Sequence, residues 1–175
     1  MIMCAVFLGG CHRDEVREDA YVPKEEYSLK KSSEAESEIP LAAGGFVFNY
    51  NGTEVKVDVE ADPVIEALGD YESYFESPSC AAQGIGKLYS YKDFEIETYP
   101  DGDIDRILYV RLKSDMAATG EGIDLSASMD DVRAAYGEPA EEKDSAMIYE
   151  KGGMKLKFIF DGDEMLSIEY DSPKV

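Results

Sequence analysis

One short pattern occurs twice in this chain, and it constrains the architecture more than any other feature. The first copy is Pro63-Val64-Ile65-Glu66-Ala67-Leu68-Gly69-Asp70, and the second is Asp131-Val132-Arg133-Ala134-Ala135-Tyr136-Gly137-Glu138. Each reads as a short helix, because Val64, Ala67 and Leu68 share one apolar face, as do Val132, Ala135 and Tyr136. Asp62 is placed to cap the first copy, with Pro63 in its first turn. Ser128, with Asp131 three residues on, is placed to cap the second. Gly69 and Gly137 stand where left-handed C-terminal caps belong, and Pro139 prevents continuation.

Three alternating segments follow each copy: 87–91, 94–100 and 104–113 after the first, and 146–150, 154–160 and 164–171 after the second. The loops Asp101-Gly102-Asp103 and Asp161-Gly162-Asp163 hold matching places. A two-residue loop would set Lys157 against Leu166 and mix charge with core. A three-residue loop pairs Phe158 with Leu166 and Leu156 with Ile168, and in the first copy Ile96 with Leu108 and Phe94 with Val110. Upstream, Asn51-Gly52 signals a two-residue hairpin turn that pairs Phe48 with Val55 and Asn49 with Glu54. The expected fold is therefore α+β: an N-terminal β-hairpin, then two tandem helix-plus-three-strand repeats at about 62–113 and 128–171, forming an antiparallel sheet with helices on one face.

Residues 44–175 hold this single domain, and two segments precede it. Residues 1–10 carry a short apolar run ending Leu8-Gly9-Gly10, directly before Cys11. This resembles the end of a bacterial lipoprotein signal peptide, which implies an acylated Cys11 and an extracytoplasmic protein anchored to the cell membrane by its N-terminal lipid. Met1-Ile2-Met3 lacks the Lys or Arg of an ordinary signal start, so the true start is expected upstream. Residues 11–43 are rich in Lys, Glu and Ser and poor in large apolar side chains, as in Lys30-Lys31-Ser32-Ser33-Glu34, and read as a flexible polar spacer. No stretch in the sequence reaches the roughly 20 apolar residues of a membrane span, so the membrane link is expected through the lipid alone.

The chain has 38 acidic and 17 basic residues, a formal net charge of −21. Residues 12–40 hold nine acids and five bases, so the remaining −17 lies in the domain. Such a field repels nucleic acid and an anionic membrane surface, and attracts a partner with a basic surface or divalent cations. Cys80 has no basic neighbour in sequence, and reads as a small buried apolar side chain.

Gly122-Ile123-Asp124-Leu125-Ser126, Met129-Asp130-Asp131-Val132 and Tyr136-Gly137-Glu138-Pro139 resemble the helix signature of small bacterial envelope proteins. These include outer-membrane assembly lipoproteins of the BamE/SmpA type and the β-lactamase-inhibitor protein family. The stretches Ser79-Cys80, Tyr89-Ser90-Tyr91 and Thr119-Gly120-Glu121-Gly122-Ile123 are similar to a group of uncharacterised Gram-positive lipoproteins. The resemblance covers about residues 46–171 and implies a fold like that of the inhibitor family. It also implies a role as an envelope assembly scaffold or as an inhibitor of a secreted hydrolase.

Catalytic signals are weak. The single His is His12, outside the domain, which disfavours His-based triads and zinc sites. Asp101, Asp103 and Asp105 imitate the start of a calcium loop, but Arg106 stands where that loop needs Gly, and a hairpin accounts for them better. No cofactor and no catalytic residue are expected. Ordinary β-propensity accounts for much of the tyrosine content, 12 residues with no Trp. The first place for a binding face is the polar side of the sheet around Glu95, Tyr99, Tyr109 and Arg111, with Tyr109 opposite Glu95. The expected function is non-catalytic protein binding by a membrane-anchored extracytoplasmic lipoprotein.

Overall fold

The structure, a computed structural model, describes residues 44–175. Cys11 and the segments 1–10 and 11–43 lie outside the described residues. In chain order the elements are β1 (Phe48–Tyr50), β2 (Thr53–Val55), α1 (Ala61–Leu68), β3 (Ser73–Pro78), β4 (Ile85–Ser90), β5 (Phe94–Asp101) and β6 (Ile104–Leu112). After these come α2 (Met129–Tyr136), β7 (Glu141–Lys143), β8 (Ala146–Lys151), β9 (Met154–Asp161) and β10 (Glu164–Asp171).

The expected α+β class is overturned. The described chain is mainly antiparallel sheet, with two helices of only eight residues each. Four strands, not three, follow each helix, and all eight join one sheet in the order β3-β4-β5-β6-β10-β9-β8-β7. β6 and β10 meet at its centre, with Tyr170 opposite Val110 and Ile168 opposite Leu112. The apolar side chains of this alternation form one core face. Phe94, Leu112, Ile168, Phe158 and Met147 lie in register across five strands and are all buried.

The β1–β2 hairpin and the helices pack onto that face. Asn51 and Gly52 take φ of +50° and +88°, the two-residue turn that Asn-Gly favours, and Phe48 pairs with Val55 as its alternation requires. Phe48 is fully buried, and its ring packs edge-on against Phe94 with centroids 5.1 Å apart. It also lies 6.0 Å from the Tyr170 ring, so one side chain fixes the hairpin on both central halves of the sheet. The segment after β2 continues this docking. The Asp58 N–H donates to the Ile107 carbonyl (2.9 Å), and the Ile107 N–H donates to the Val59 carbonyl (3.0 Å). Residues 58–59 thus occupy the place along β6 that β10 vacates after Ser172.

The caps agree with expectation at one helix only. Ser128 forms a full capping box with Asp131 at the start of α2. Two hydrogen bonds from Ser128 hold the Asp131 carboxyl below its usual value. At α1 the helix begins at Ala61, so Asp62 lies inside it, and Glu60 at the cap makes no side-chain bond. Gly69 and Gly137 end the helices at φ/ψ of 79°/−150° and 80°/−156°. This is a region open essentially to Gly alone, not the left-handed helical cap expected.

Both long hairpins correct the expected register. Asp101 pairs with Ile104 and Asp161 with Glu164, leaving two-residue turns in which Gly comes first at φ of 66° and 62°. A bulge then restores the alternation: Leu108 is the extra residue in β6, and Leu166 in β10. Ile96 therefore faces Val110, and Phe158 faces Ile168, two residues beyond the expected partners.

Candidate binding surface

The face of the sheet opposite the core carries two rows of side chains, each continuous through the strand pairing. One row reads Phe75, Leu88, Glu97, Tyr109, Asp171, Lys155, Glu150. The next reads Ser73, Ser90, Glu95, Arg111, Glu169, Lys157, Ile148, Glu141. None of these residues belongs to the apolar cluster under the helices. Among the described residues, both helices and the β1–β2 hairpin contribute to that cluster, so this second face is left uncovered.

The face is held by ion pairs across strands. Arg111 reaches both neighbouring strands, donating from Nε to Glu169 Oε1 (2.7 Å) and from Nη1 to Glu95 Oε1 (2.8 Å). The two carboxylate side chains are 14% and 15% exposed, against 40% for the guanidinium. Burial works against the charge on Arg111, but the hydrogen bond to Glu169 and the nearby carboxylates overrule it and raise its pKa. The guanidinium also lies 5.0 Å from the Tyr109 ring centroid, a cation–π contact that fixes the ring. Burial raises the Tyr109 phenol above its ordinary pKa, so it stays a neutral hydroxyl at any physiological pH.

Beside this cluster the Lys157 ammonium forms an ion pair with Asp171 Oδ2. Asp171 is 2% exposed, and burial raises its carboxyl pKa despite the opposing pull of Lys157. In all, the two rows hold six carboxylates (Glu95, Glu97, Glu141, Glu150, Glu169, Asp171) against three cations (Arg111, Lys155, Lys157), a residual charge of −3.

Three of the four side chains singled out from the sequence thus come together: Glu95, Tyr109 and Arg111. The partner of Tyr109 is corrected, since it faces Glu97, and Arg111 faces Glu95. Tyr99 does not join them. It is 3% exposed, and its hydroxyl donates to Asp58 Oδ1 (3.0 Å), an oxygen that also accepts from the Ser172 hydroxyl (2.6 Å). Burial, then this bond, raises the Tyr99 pKa. Tyr99 ties the β2–α1 segment to the sheet and is not free to meet a partner. Cys80 also departs from expectation, for it is an exposed free thiol.

The sequence reading leaves Glu169, Lys157 and Asp171 out of the binding face. Their two strands are legible, but the bulge at Leu166 shifts the partners, so that Glu169, expected opposite Lys155, faces Lys157. The sequence reading also leaves out an exposed aromatic group beside β3. Tyr71 and Tyr74 are 44% and 41% exposed, and their rings lie 5.3 and 5.1 Å from that of Tyr89. Among the described residues there is no cluster of three metal-ligating side chains, and no helix long and apolar enough to cross a membrane. A groove of about 340 Å³ is lined by the rings of Phe46, Tyr136 and Tyr149 and by the charged side chains of Glu138, Glu150 and Lys151. Comparison with protein-family models, curated proteins and solved structures matches none of them to this chain.

Proposed function

We propose that this chain is a non-catalytic binding module that engages a protein with a basic surface, and that an acyl chain on Cys11 holds it outside the cytoplasm. The observation that carries the binding reading is the uncovered sheet face, whose charged side chains fix one another in place. Side chains already ordered lose little entropy when a partner docks, so more of the contact energy appears as affinity. Tyr and Arg at the centre are the residue types that most often dominate interfaces. The residual −3 of the face and the −21 of the chain favour a basic partner and speed its approach. The anchor rests on Leu8-Gly9-Gly10-Cys11 and the polar run that follows.

Two measurements test these halves separately. Cys11→Ser should move the protein from the membrane fraction to the medium, and unchanged fractionation would refute acylation at that residue. The whole chain, used as bait against envelope and secreted proteins of its own source, should capture a saturable partner that salt releases. Capture that is unsaturable or indifferent to salt would refute a specific electrostatic interface.

A further inference from the structure

The two edges of the eight-stranded sheet are unlike. β7 is three residues long, Glu141-Glu142-Lys143, and all are exposed: short and charged, as protected edges are. β3 is six residues long and carries Tyr74 and Phe75, 41% and 64% exposed. The Ser79 N–H donates to the Gly84 carbonyl (2.9 Å), and antiparallel bonding alternates from there. Ser77, Phe75 and Ser73 therefore turn their backbone groups to β4, while Tyr74 and Glu76 turn theirs outward. Among the described residues, nothing accepts from those two outward N–H groups.

We infer that β3 is a self-association edge, pairing antiparallel with β3 of a second copy about a two-fold axis centred on Phe75. Three symmetric registers use the outward groups, and side-chain chemistry separates them. Centring on Glu76 sets Glu76 against its own copy and gives Pro78, which has no N–H, a bonding position. Centring on Tyr74 sets Glu72 against Glu76 of the second copy and needs the Glu72 N–H, which already donates to the Ser90 carbonyl (2.8 Å). Centring on Phe75 sets Tyr74 against Glu76 of the second copy, Ser73 against Ser77, and Phe75 against Phe75, and all four N–H and C=O groups of Tyr74 and Glu76 bond. This register is free of like-charge pairs between facing residues 73–77, and it buries the most exposed aromatic ring of the described chain. Because β7 offers no matching edge, the pairing closes as a dimer of sixteen continuous strands and does not propagate into a filament.

Two copies each of net charge −21 repel, so added salt should tighten this dimer, the reverse of its effect on a basic partner. The test is sedimentation equilibrium of the whole chain across concentration and salt. The expected result is a monomer–dimer equilibrium, strengthened by salt and weakened at least about tenfold by Phe75→Lys, which places two ammonium groups face to face. Register is read by cross-linking in a Cys4→Ser, Cys11→Ser, Cys80→Ser background. Phe75→Cys should form an intermolecular disulfide, since facing non-bonded residues stand about 4.5 Å apart at Cα. Ser73→Cys should not, because its counterpart lies four residues along the strand, about 13 Å away. A chain that stays monomeric throughout, a dimer indifferent to Phe75→Lys, or equal cross-linking at both positions would overturn the inference.

Discussion

Arg111→Met removes the guanidinium from between Glu95 and Glu169 and keeps most of its apolar stem. Two carboxylates, each about 85% enclosed, then face each other across β6 with no cation between them. Leaving a buried charged acceptor unmatched costs about 1–3 kcal/mol, and breaking a fully buried pair about 3–5 kcal/mol. Arg111 itself is 40% exposed, so water enters where it stood, which favours the lower end. About 1 kcal/mol for each carboxylate gives a loss of about 2 kcal/mol. With a urea slope of about 1.5 kcal/mol per molar, the unfolding midpoint should fall by about 1.3 M. The combined variant Arg111→Met, Glu95→Gln, Glu169→Gln should recover most of that loss, because it leaves no unpaired charge behind. Equilibrium urea unfolding followed by circular dichroism measures all three. A single variant as stable as the wild type, or a triple variant no better than the single, would refute the idea that this ion cluster fixes the face.

Three further outcomes follow from the geometry. Among the described residues the buried Tyr170 hydroxyl has no hydrogen-bond partner, so Tyr170→Phe should raise stability by about 1 kcal/mol; a loss in thermal unfolding would refute that reading. Gly137→Ala should cost about 1–3 kcal/mol through backbone strain alone, since an added Cβ meets nothing within 4 Å, and an unchanged urea midpoint would contradict the assigned φ of 80°. Burial raises the Asp171 pKa above its unfolded value, so the folded state binds the extra proton, and stability drops as pH rises through the folded pKa. Relative to Asp171→Asn, the wild type should thus lose stability as pH rises from about 4 through the raised folded-state pKa; a difference that is flat with pH would show that Asp171 titrates normally.

Local signals were the most legible in the sequence. Asn51-Gly52 fixed its own hairpin, and Ser128 with Asp131 fixed the start of α2, because both depend on residues a few positions apart. Sheet register depends on distant residues, and there the reading slipped by two. Alternation favours the three-residue loop, since a two-residue turn without a bulge sets charge against core. Leu108 and Leu166 bulge and absorb the mismatch, which no local pattern announces. A slip of two keeps each side chain on its face, so Glu95, Tyr109 and Arg111 were gathered correctly while their partners were not. Tyr99 lies beyond the bulge, where a buried bond to Asp58 was out of sight. β3 and β7 were missed for another reason. Edge strands bury neither face fully, so Ser73-Tyr74-Phe75-Glu76 and Glu141-Glu142-Lys143 show no alternation, although the two aromatic residues in β3 were a usable hint. The helices dominated the sequence reading because their caps are explicit, yet they are minor parts of a sheet protein.

The central claim is that the uncovered sheet face is the binding surface. The most direct measurement compares, by quantitative mass spectrometry, what the whole chain captures with what Tyr109→Ala and Glu66→Ala capture. Tyr109 lies at the centre of the face, while Glu66 is an exposed residue on α1, which packs on the core side of the sheet. The account predicts one basic partner, retained by Glu66→Ala and at least about tenfold depleted by Tyr109→Ala, as for a residue at the core of an interface. The same partner captured equally by both variants would contradict it and move the binding surface off this face.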